Sequence, residues 1–151
     1  MEARQQEQSA EVSIRRTYPV APDKVWRAWT QPQALSQWFG PGATPSRAEA
    51  EIDLRVGGRY RIAFPMPNGE KNEASGEYLE VVPNRRLVFT WAWKGTPERV
   101  SRVTIDLQPA AGGTELRFVH DRFFDDTARA NHERGWQPVF GNLEAYLGGQ
   151  A

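Results

Sequence analysis

The sequence predicts an α+β fold in which a curved antiparallel sheet of about seven strands wraps round one long C-terminal helix. Three observations predict it. Between residues 46 and 121 apolar and polar side chains alternate in short runs separated by turn residues. From His132 to Leu147 apolar side chains recur at helical spacing. A sheet with one apolar face and a helix with a matching stripe must bury those surfaces against each other.

The elements follow in chain order. Residues 1–10 carry Gln and Glu with almost no apolar side chain, so they read as a disordered leader, and residues 11–151 read as one domain. Val12, Ile14, Arg16, Tyr18 and Val20 alternate with polar neighbours as a strand with one buried face. Pro22 suits a first helical position, Asp23 favours the positive helix end, and Val25, Trp26 and Trp29 recur at helical spacing. Thr30 and Pro32 open a second short helix carrying Leu35 and Trp38, which Gly40-Pro41-Gly42 ends.

Six strands follow, with turns at Val56-Gly57-Gly58, Pro67-Asn68-Gly69, Pro83-Asn84, Lys94-Gly95-Thr96-Pro97 and Ala111-Gly112-Gly113. Alternation places Tyr60, Ile62, Phe64 and Met66 on the inner face, with Phe89, Trp91 and Trp93. Val103, Ile105 and Leu107, and then Leu116, Phe118 and His120, join them. The last helix starts at Asp125 or Asp126 and stops at Gly148-Gly149. Pro138 lies inside it and removes a backbone hydrogen bond, which predicts a kink or break near Arg134 and Gly135.

Composition narrows the function. With 151 residues and 39% hydrophobic content the chain can bury a sizeable single core. Nineteen basic residues balance nineteen acidic ones, and without a basic stripe there is no field to draw in nucleic acid. There is no cysteine, which excludes disulfides, thiol catalysis and cysteine-held zinc. No apolar run approaches the roughly 20 residues that span a bilayer, and the polar start is unlike a signal peptide, so the expected location is the cytoplasm and no membrane partner is expected. Six Trp, seven Phe and four Tyr supply either core or the walls of a pocket.

Several ordered motifs carry a family resemblance over residues 11–147. They are Pro22 to Trp29, Trp38-Phe39-Gly40-Pro41, Asp53-Leu54-Arg55-Val56-Gly57-Gly58, Gly76-Glu77-Tyr78, and Arg86-Leu87-Val88-Phe89-Thr90-Trp91. Thr114-Glu115-Leu116 and a closing His132, Gly135-Trp136, Phe140, Leu143, Tyr146, Leu147 complete the set. On these the chain resembles the START-like, or SRPBCC, superfamily, and within it the bacterial homologues of the heat-shock-protein ATPase activator. The resemblance implies a helix-grip fold with a cavity between sheet and long helix, in a superfamily that includes hydrophobic-ligand binders, polyketide cyclases and co-chaperone domains.

Three functions follow as expectations. The first is non-catalytic binding or carriage of a small hydrophobic, aromatic or polyketide-like molecule, without a cofactor. Its cavity would be lined by Trp38, Phe39, Tyr60, Phe64, Tyr78, Trp91, Trp93, His120, His132, Trp136 and Phe140. The second is a cyclase- or hydrolase-type cavity enzyme, with His120 as general base and Tyr60, Tyr78 and Arg59 as further candidates. The third is a protein-interaction module; the eukaryotic activators carry a further domain without a counterpart here, which weighs against chaperone activation. A homodimer is compatible with any of them.

Each motif also has a plainer structural use. Trp38-Phe39-Gly40-Pro41 is either a lid over the cavity or helix-end packing. Gly57-Gly58 lacks a following helix and so reads as a hairpin turn, not a phosphate cradle. His120 is either a ligand contact or a satisfied core histidine, and its neighbour Asp121 must point to the other face. Two histidines without a third ligand make no metal site. Asp121, Asp125 and Asp126 are explained by the start of the helix.

Overall fold

The computed structural model describes residues 11–41 and 48–149. The leader expected at residues 1–10, and Gly42 of the turn after the second helix, lie outside the described residues. Strand β1 (Val12–Tyr18) is followed by helices α1 (Pro22–Thr30) and α2 (Pro32–Trp38). Six strands come next: β2 (Glu49–Ile52), β3 (Arg59–Pro65), β4 (Lys71–Val82), β5 (Arg86–Trp93), β6 (Ser101–Ala110) and β7 (Gly113–Asp121). Helix α3 (Asp126–Gly148) closes the chain. The seven strands form one antiparallel sheet in the order β1-β7-β6-β5-β4-β3-β2, so only β1 leaves sequence order, pairing with β7 after the two helices have crossed over. This is the helix-grip architecture that the patterning predicts.

Alternation sets the register. Ile105 of β6 faces Phe118 of β7, Phe118 faces Ile14 of β1, and Leu87 of β5 faces Ile105, which makes a continuous buried row across the sheet. A bulge between Tyr78 and Glu80 reverses this parity partway along β4: Ala74 and Tyr78 are buried before it, whereas after it Val81 packs on the core. Gly76 is required by close approach, because a Cβ there would lie 1.9 Å from the Thr90 carbonyl oxygen.

The helix boundaries follow their local chemistry. Pro22 and Pro32 each occupy the first turn of a helix, where a missing N–H removes no bond. Thr30 closes α1 and does not open α2 as expected: its hydroxyl donates to the Trp26 carbonyl one turn back, and Gln31 is the residue that caps α2. Asp125 caps α3 by accepting from the Ala128 N–H at 2.8 Å.

The break predicted at Pro138 does not occur, since α3 runs unbroken from Asp126 to Gly148. Pro138 and Arg134 both lie on the exposed side, so the Arg134 carbonyl that loses its partner is turned to water and is not buried unpaired. Trp136, Val139, Phe140, Leu143 and Leu147 meanwhile hold the opposite side to the core on both flanks of the proline.

Candidate functional site

The interior between sheet and helix is filled by rings. Trp29 packs on Trp38, Phe118, Phe140 and Trp136, with centroids 4.9 to 6.4 Å apart. Phe118 meets Trp136 edge-on at 4.7 Å. Trp38 is fully buried and donates its indole N–H to the Ala28 carbonyl at 3.0 Å. Gly40, which follows, accepts from the Asn142 side chain at 2.9 Å. The Trp38 segment is thus helix-end packing pinned at both ends, and this geometry does not suit a swinging lid.

An apolar pocket of about 200 Å³ opens where α3 passes the far ends of β3, β4 and β5. Phe39, Phe64, Trp91, Trp93 and Trp136 wall it, with Met66 and Val139, and Asn72, Asn131 and His132 supply its polar points. Gly135 forms part of the helix side, and a Cβ added there would meet nothing within 4 Å, so the space in front of this glycine is open. A second hollow beneath the middle of the sheet, beside Tyr60 and Tyr78, holds only about 30 Å³, room for about one water. The cavity expected between sheet and long helix therefore lies at one end of that interface, because several of the aromatic side chains expected to line it fill the rest.

The predicted site residues separate accordingly. Phe39, Phe64, Trp91, Trp93, His132 and Trp136 meet around the apolar pocket. Tyr60 and Tyr78 border the small hollow instead, and the Tyr60 hydroxyl donates to the Thr90 carbonyl at 2.5 Å. Trp38, Phe140 and His120 are core residues that border neither space. Arg59 is exposed on the opposite face of β3. Burial pushes the phenols of Tyr60 and Tyr78 up, away from any role as a base at neutral pH.

The two histidines are held by opposite tautomers. An indole N–H can only donate, so the Trp136 Nε1 bond to His120 Nδ1 at 3.0 Å makes Nδ1 an acceptor and puts the proton on Nε2. That Nε2–H donates to the Ser101 hydroxyl at 2.7 Å, which in turn donates to the Trp91 carbonyl at 3.0 Å. In His132 the roles are reversed: Nδ1–H donates to the Ala128 carbonyl at 2.7 Å and Nε2 accepts from Trp93 Nε1 at 3.0 Å. Burial, reinforced by the charge of His132, holds His120 well below the ordinary histidine range; burial also lowers His132, opposed by its bond to Ala128. Every ring nitrogen is occupied, and fully buried His120 offers neither of its own to a substrate.

Sequence reasoning missed Met66, Asn72, Asn131, Gly135 and Val139 in the pocket lining, and Ser101 beside His120. Signals for several existed. Asn131, His132, Gly135, Trp136 and Val139 recur at helical spacing, and Ser101 shares the inward parity of Val103, which pairs with His120. Among the described residues no group of three or more His, Asp or Glu could hold a metal ion, and no helix is long and apolar enough to cross a membrane.

Residues 19–148 match the family model described as "Activator of Hsp90 ATPase homolog 1-like protein". The chain belongs to that family. Within the Hsp90 ATPase activator homolog 1-like family, it is 26% identical over 133 residues to human activator of 90 kDa heat shock protein ATPase homolog 1, an alignment covering 87% of this chain and 35% of the human protein. The chain thus spans about a third of that relative's length. A solved structure of a Chromobacterium violaceum protein superposes with a TM-score of 0.80 at 28% identity, covering 93% of this chain and 98% of the other. DynU16, a protein of the dynemicin biosynthetic locus, superposes with a TM-score of 0.73 at 25% identity, over 91% of this chain and 47% of its own. These neighbours share the SRPBCC helix-grip fold that the motifs imply.

Proposed function

We propose that this protein binds a small, flat, apolar molecule in the pocket between α3 and the ends of β3 to β5, and carries it without chemical change. The observation that carries this reading is the pocket itself: about 200 Å³ walled by three indoles and two phenyl rings, with Gly135 leaving the helix side open. A dry cavity of about 150 Å³ holds benzene, so this one suits a body of one to two fused rings. Catalysis finds less support. The pocket holds no free acid or base, because His132 spends both nitrogens on protein partners and His120 lies behind the aromatic core. Similarity to a protein of a biosynthetic locus fits a small-molecule ligand.

Naphthalene tests this directly. Calorimetry should give one site with a dissociation constant of about 1–100 μM. Gly135→Leu, which pushes a side chain into the open space, should fold normally and bind at least tenfold more weakly, about 1.4 kcal/mol. Absence of binding to the unmodified protein, or equal binding by the variant, would remove the pocket as the site.

A further inference from the structure

The apolar pocket does not end in a solid wall. Trp91, Trp93, Asn131 and His132 line it, and the same four residues line a second, more polar space of about 250 Å³ on their far side, where Arg99, Ser101, Thr127 and the helix-capping Asp125 are found. Between the two spaces stands the bond from Trp93 Nε1–H to His132 Nε2. Both partners are only partly buried, and Trp93 is the last residue of β5, next to the Lys94-Gly95 turn. This partition is therefore a side-chain contact at a strand end and involves no backbone ladder.

Its chemistry says what could replace it. The indole N–H is a donor with no acceptor capacity. His132 Nε2 is an acceptor only, because the bond from Nδ1 to the Ala128 carbonyl fixes the proton on the other nitrogen. Separating the pair leaves a lone donor facing a lone acceptor. A carbonyl or ether oxygen could satisfy the indole but not the imidazole, and an ammonium the imidazole but not the indole. A hydroxyl satisfies both at once, accepting from Trp93 and donating to His132.

We propose that the ligand is an aromatic alcohol, a fused-ring phenol whose rings occupy the apolar pocket and whose hydroxyl inserts between Trp93 Nε1 and His132 Nε2. The inference rests on the binding reading above and adds the ligand's defining group. The polar space behind the partition lets the hydroxyl arrive without complete loss of hydration. The groups facing His132 there are His120 of β7, with ring centroids 4.9 Å apart, Asp125 at the start of α3, and Arg99 of the β5–β6 loop. His120 is hydrogen-bonded on both nitrogens, the Asp125 oxygen that caps the helix is bound to Ala128, and Arg99 lies over the Phe124 ring and pairs with Glu98, so each of these groups is already engaged by a protein partner.

The test compares three probes of one shape on the unmodified protein at pH 7.5: naphthalene, 2-methoxynaphthalene, which only accepts, and 2-naphthol, which accepts and donates. Calorimetry should rank 2-naphthol about tenfold tighter than 2-methoxynaphthalene, the worth of about one net hydrogen bond. His132→Phe, which keeps a ring but has no acceptor, should bring the two within about twofold of each other. A second measurement needs no variant: nitrogen NMR should show the direct bond from Trp93 Nε1–H to His132 Nε2 kept in the naphthalene complex and lost in the 2-naphthol complex, and a bond that survives 2-naphthol would overturn the insertion. Equal affinity for 2-naphthol and its methyl ether, with naphthalene still bound, would overturn the hydroxyl assignment and leave the binding reading intact. Failure of all three probes to bind would overturn both.

Discussion

Trp136 donates its indole N–H to Nδ1 of His120 at 3.0 Å, and this bond ties the centre of α3 to the inner face of β7. It continues through the Ser101 hydroxyl to the Trp91 carbonyl, so a helix and three strands share one polar thread inside an otherwise aromatic core. Low polarity around the thread strengthens each bond, and it also raises the penalty for leaving any member unpaired. The thread explains why a polar side chain as ionisable as histidine is tolerated with no exposed surface.

Removing the imidazole should therefore damage stability more than function. His120→Ala leaves a cavity and an orphaned Trp136 N–H, with an expected loss of about 2–4 kcal/mol. Urea denaturation monitored by tryptophan fluorescence measures it. A loss under about 1 kcal/mol would show that the thread is not a structural element.

Acid should weaken the fold. Both histidines have folded-state pKa values below their ordinary 6.5, so the unfolded chain binds protons first as the pH falls. Their contribution is then complete above pH 6.5 and is lost as pH falls below that value toward the folded-state pKa values. The unfolding free energy from urea titrations between pH 7.5 and about 5.5 should decline, by no more than about 1.4 kcal/mol per pH unit for each histidine. In His120→Gln the decline should shrink; a profile as steep as that of the unmodified protein would assign it to other groups.

Pro138 offers a stabilising change. The helix passes through it unbroken, on the exposed side, so Pro138→Ala restores an N–H to the Arg134 carbonyl without disturbing the packed stripe. The expected gain is about 1–3 kcal/mol, read from the same urea titration. A loss of stability would mean that the helix is shaped around the proline.

The architecture was legible because it depends on local periodicity. Alternation at Val103, Ile105 and Leu107 and at Leu116, Phe118 and His120 assigns faces without knowledge of partners, and the Gly and Asn turns bound each strand. The family was legible for the same reason, since its motifs sit at those turns and on those faces. The bulge after Tyr78 and the water-facing placement of Pro138 were less visible, because each depends on what lies across the strand or outside the helix.

For the site, the sequence alone determined that aromatic side chains and two histidines would converge between sheet and helix. Parity and helical spacing are properties of one chain segment at a time. Only the tertiary structure decided which rings fill the core and which leave a gap, since cavity volume is a small difference between large packed volumes contributed by distant segments. It likewise decided the protonation of the histidines. The nitrogen that keeps the proton is set by its neighbour, Trp136 for one ring and Trp93 for the other, and the fold alone brings those neighbours within 3.0 Å.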